Sequence, residues 1–60
     1  MAAIDTFESF LSELPPADRE KLNEFIKSQR EQMLAARSEE ARVRIAHNFI
    51  AEAHDRLKKS

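Results

Sequence analysis

The sequence predicts an all-α fold, and three observations carry that expectation. Ala, Leu, Glu, Lys, Arg and Gln are plentiful, and these residues lose little on entering a helix. The β-branched residues Ile4, Thr6, Ile26, Val43, Ile45 and Ile50 are scattered and nowhere alternate with polar residues over a strand's length. Glycine is absent, and both prolines sit together at Pro15 and Pro16, so the chain has one strong breaking point.

The first helix is expected over residues 6–13. Asp5 and Glu8 have the spacing of a capping box. Ile4, Phe7, Leu11 and Leu14 share one face with Phe10 beside them, within an arc of about 120°. Pro15 ends the helix by driving Leu14 out of the α region.

A second helix should start near Pro16 and run to Ala36. Proline suits a first turn, where its missing N–H costs nothing. Asp18 and Glu20 place negative charge at the positive end of the dipole. Leu22, Phe25, Ile26, Met33 and Ala36 form a narrow stripe with Gln29 in its middle, and Leu34 falls outside it.

The third helix should run from Ser38 to Lys58. Ser38 is a good N-cap, Glu39 and Glu40 supply first-turn acids, and Lys58 and Lys59 suit the negative C-terminal end. Val43, Ile45, Ala46, Phe49, Ile50, Ala53 and Leu57 cover roughly 160°, enough for at least two neighbours. No Gly or Pro separates the second and third helices. Their apolar stripes are nevertheless out of phase by roughly 130° in one straight helix, so a turn near 36–39 is expected. The resulting architecture is a single small helical domain over residues 1–60. It is a short N-terminal helix plus an antiparallel helical hairpin, paired into a dimeric helix bundle.

Composition narrows the function. Sixty residues bury only about 60% of the unfolded chain's surface, so such a domain is marginally stable. Small scaffolds add disulfides, a metal or self-association. Cysteine is absent, which removes disulfides and thiolate zinc sites, and leaves self-association as the expected staple. Without glycine there is no phosphate-cradling loop. No stretch has the length or apolarity of a membrane span, and the N-terminus lacks a signal peptide's basic and apolar regions, so a cytoplasmic location is expected.

No residue set suggests an enzyme or a cofactor. Ser9, Ser12, Ser28, Ser38 and Ser60 read as caps or surface positions, with no nucleophile elbow around any of them. His47 and His54 lie seven residues apart, with Glu40 one heptad earlier. About 10.5 Å of rise is too far for two ligands of one ion, so they read as residues at the core edge and as a pH-sensitive interface only secondarily. The four phenylalanines all fall on apolar faces and read as core.

Charge is mixed, with net charge -1, but Arg30, Arg37, Arg42, Arg44 and Arg56 concentrate in the second half. A nucleic-acid regulator using Arg37, Arg42, Arg44, Lys58 and Lys59 is the alternative. Against it, Glu39 and Glu40 lie where a recognition helix would meet phosphates. The favoured reading is a small, non-catalytic interaction or regulatory protein that homodimerises and contacts protein partners. Its expected packing and interface residues are Leu22, Phe25, Ile26, Met33, Phe49, Ile50, Ala53 and Leu57.

Overall fold

The structure is a computed structural model and describes residues 2–59. Among these residues four helices follow one another: α1 (Ala3–Glu13), α2 (Pro16–Lys21), α3 (Asn23–Ala35) and α4 (Glu39–Lys59). Among the described residues there is no strand, and no helix is long and apolar enough to cross a membrane.

Helix α1 begins three residues earlier than its sequence signals suggest. Its N-cap is Ala2, which makes no side-chain cap bond, and Asp5 sits inside the first turn. The cap comes from elsewhere in the chain. The Ala3 N–H donates to Glu39 Oε2 at 2.7 Å, across 36 residues of sequence. A tertiary partner thus supplies the acceptor that the local sequence lacks. At the other end Leu14 is extended (φ -74°, ψ 137°), as a residue before proline should be.

The expected second helix is divided in two. Pro16 opens α2 as anticipated, but Leu22 (φ -101°, ψ 9°) interrupts the helix before α3. Segment PADREK buries none of its residues, so no apolar face holds α2 in line with α3. Instead the Arg19 guanidinium donates to the Leu11 carbonyl at 2.8 Å and ties α2 back to the end of α1. This is the familiar match of a cation to a helix's C-terminal carbonyls.

Residues 36–38 separate α3 from α4. Ala36 is extended, and its carbonyl accepts from Arg42 at 3.0 Å. Ser38 is the cap its position promised, with its Oγ accepting from the Ala41 N–H at 3.1 Å.

The core is shared by α1, α3 and α4. It comprises Ala3, Phe7, Leu11, Leu22, Ile26, Met33, Ala46, Phe49 and Ala53. Phe49 is its hub. Its ring lies 4.7 Å from Phe7, 5.1 Å from Phe25 and 5.7 Å from Phe10. Each such pair contributes about 0.5–1.5 kcal/mol beyond area burial. No buried side-chain nitrogen or oxygen among the described residues lacks a partner.

Two sets of contacts orient α1. Ala3 meets Glu39 at the start of α4 and Phe10 meets His54 further along, so these helices run in the same sense. On the other side Glu8 takes a two-point bond from Arg30 of α3, both contacts 3.0 Å. The Arg30 guanidinium also lies 5.7 Å from the Phe7 ring, partly covering it.

Candidate functional site

Helix α4 carries two apolar lanes. Ala46, Phe49 and Ala53 form the inner lane and are at most 3% exposed. Val43, Ile50 and Leu57 form an outer lane, each seven residues from the next. Ile50 and Leu57 are half-buried against the core edge, while Val43 is 43% exposed. His47 and His54 alternate with them, giving the 4-3-4-3 spacing of a coiled-coil seam along one side of α4.

Helix α1 forms the far bank of this seam. Its Thr6 lines a shallow recess of about 220 Å³ with Ala3, Val43, Ala46 and His47. The Phe10 ring meets the His54 imidazole edge-on at 5.4 Å. A wider groove of about 540 Å³ continues over Glu39, Glu40, Val43, Arg44 and His47. The seam therefore runs from the α4 N-terminus, past an exposed valine and two exposed histidines, toward Leu57.

One carboxylate at this end has shifted acidity. The Ala3 N–H bond, followed by the Arg42 side-chain bond, holds the Glu39 carboxyl below its ordinary value. Both partners stabilise the charged form. Glu39 is thus committed within the chain, bonded at once to α1 and to Arg42 Nε at 3.0 Å.

The eight residues expected to serve packing and interface divide sharply. Leu22, Ile26, Met33, Phe49 and Ala53 are buried within the single chain and present no surface while it is folded. Phe25, Ile50 and Leu57 are half-buried. Phe25 is further covered by the Arg56 guanidinium, 4.1 Å from its ring centroid. Val43 is missing from that set. It belonged to the wide apolar stripe, but nothing in the stripe shows which edge α1 leaves open. Leu34, the other large exposed apolar residue among the described ones, stands alone at 74% exposure. Isolated apolar side chains are ordinary on protein surfaces.

The basic residues do not converge. Arg42 is bound to Glu39 and the Ala36 carbonyl, Arg56 to Glu52, and Lys59 to Asp55. Arg37 lies exposed in the α3–α4 link. Arg44 and Lys58 are fourteen residues apart on α4, about 21 Å along its axis. A polar groove of about 350 Å³ lies between α1 and α3, lined by Glu8, Ser12, Arg19, Asn23 and Arg30 over Leu11 and Ile26. Its two guanidiniums already serve Glu8 and the Leu11 carbonyl. Among the described residues no group of three or more His, Asp or Glu side chains is placed to hold a metal ion.

No protein-family model, curated protein or solved structure matches this chain.

Proposed function

We propose that this chain is a small, non-catalytic interaction protein of regulatory type that works as a homodimer. In this reading α3 and α4 are an antiparallel helical hairpin closed on one side by α1. The outer lane of α4, with its α1 bank, is the contact surface. The carrying observation is the row Val43, Ile50 and Leu57 at heptad spacing beside a filled inner lane, with Val43 exposed and Ile50 and Leu57 half-buried at the core edge.

Apolar exposure supports the reading: Val43 keeps 43% of its surface on the α4 edge beside half-buried Ile50 and Leu57. A two-fold dimer is the commonest way for a small soluble protein to cover such a face.

Light scattering on a sizing column, over a range from nanomolar to high micromolar, tests this. A mass that rises with concentration from 6.9 kDa to twice that value supports it. A constant monomer mass over that whole range overturns it.

A further inference from the structure

The charges on the seam specify how two copies would meet, an inference that rests on the self-association proposed above. Glu40 and Lys58 are eighteen residues apart, which is five full helical turns. They therefore lie on the same side of α4, at opposite ends of the row containing Val43, His47, Ile50, His54 and Leu57. The row and its two end charges fit within an arc of about 100°. Six other charges on α4 are paired within the chain, Glu39 with Arg42, Glu52 with Arg56 and Asp55 with Lys59, while the exposed Arg44 lies one turn from Glu40 beside the same groove. Neither Glu40 nor Lys58 has an ion-pair partner among the described residues, and both are exposed.

From this arrangement we infer that a second copy of the chain docks with its α4 antiparallel to the first, about a two-fold axis near residues 48–50. Glu40 of each copy then meets Lys58 of the other, once at each end of the seam. Val43, Ile50 and Leu57 of both copies close the space between. A parallel pairing would instead set Glu40 against Glu40 and Lys58 against Lys58. Like charges across an interface disfavour that register. Because the contact is isologous, the Glu40–Lys58 pair forms twice in every dimer.

Charge reversal distinguishes the two arrangements. Dimer dissociation constants would be measured by sedimentation equilibrium at low salt for the wild type, Glu40→Lys, Lys58→Glu and the double variant. Antiparallel docking predicts that each single variant weakens the dimer on the order of tenfold, since both symmetry-related pairs become repulsive. It also predicts that the double variant recovers wild-type affinity and that the differences shrink in high salt. In a parallel dimer the like-charge contacts persist in all four proteins, so the affinities stay alike. Equal affinities, or a double variant weaker than either single one, overturn the antiparallel arrangement while leaving self-association standing. A wild-type protein that stays monomeric removes the underlying proposal itself. Helix content by circular dichroism on the same samples separates an interface effect from loss of the helix dipole's match to Glu40. Crosslinking provides a second readout that needs no charge. Mixed Glu40→Cys and Lys58→Cys chains should form a disulfide-linked pair, and Glu40→Cys alone should not.

Discussion

The two lanes of α4 are made of similar residues and have different fates. Phe49 in the inner lane touches three other phenylalanine rings and is fully buried. Val43 in the outer lane, less than two turns away, keeps 43% of its surface. The difference lies in the placement of α1. The Glu39–Ala3 bond and the Arg30–Glu8 pair set α1 over the inner lane and one edge of the outer one. Apolar character alone does not decide whether a position is core. The reach of the neighbouring helix does.

This contrast can be broken most severely at Phe49. Phe49→Ala should cost about 3–5 kcal/mol, comparable to the roughly 3–9 kcal/mol total expected for a chain of this length. Thermal unfolding followed by circular dichroism should show a greatly lowered midpoint or no cooperative transition. An unchanged midpoint would mean that Phe49 is not the hub of the core. Val43→Glu should behave in the opposite way. Its monomer stability should stay within about 0.5 kcal/mol of wild type, while dimer affinity falls at least tenfold. Loss of monomer stability without loss of affinity would place Val43 in the core and not on the seam.

A smaller effect is expected where α1 meets α3. The two-point Arg30–Glu8 pair has side chains 41% and 48% exposed, so solvent screening limits its coupling to about 1 kcal/mol or less. A double-mutant cycle with Arg30→Ala and Glu8→Ala measures this coupling. A value of zero would leave the orientation of α1 to apolar packing and the Glu39 bond.

The subtlest test concerns pH. The folded-state pKa of Glu39 is depressed, so its contribution is present above the unfolded carboxylate's pKa. That contribution is lost as pH falls through the lower folded value. Glu39→Gln should therefore flatten part of the acid-side loss of stability and leave the neutral-to-alkaline profile parallel to wild type. If both proteins lose stability identically between neutral pH and strong acid, the Ala3–Glu39 bond does not contribute in solution.

Much of the local structure was legible in the residues. Pro15 placed the end of α1, and Pro16 opened the next helix. Ser38 marked the cap of α4, and the phase shift between stripes placed the break near residues 36–38. The start of α1 was not legible, because its cap is a carboxylate 36 residues away. The interruption at Leu22 was hidden because no Gly or Pro stands there, and α2 is held by an arginine reaching another helix. The open lane of α4 was hidden for a related reason. A 160° apolar arc shows that two neighbours are needed, but not which part of the arc each covers. Those features depend on tertiary contacts, which helical periodicity does not encode.

The most direct test is the solution mass of wild type and Val43→Glu, measured side by side by light scattering across concentration. The wild type should pass from monomer to dimer while Val43→Glu remains a monomer that melts as the dilute wild type does. If the two proteins have the same mass at every concentration, the outer lane of α4 is not an interface.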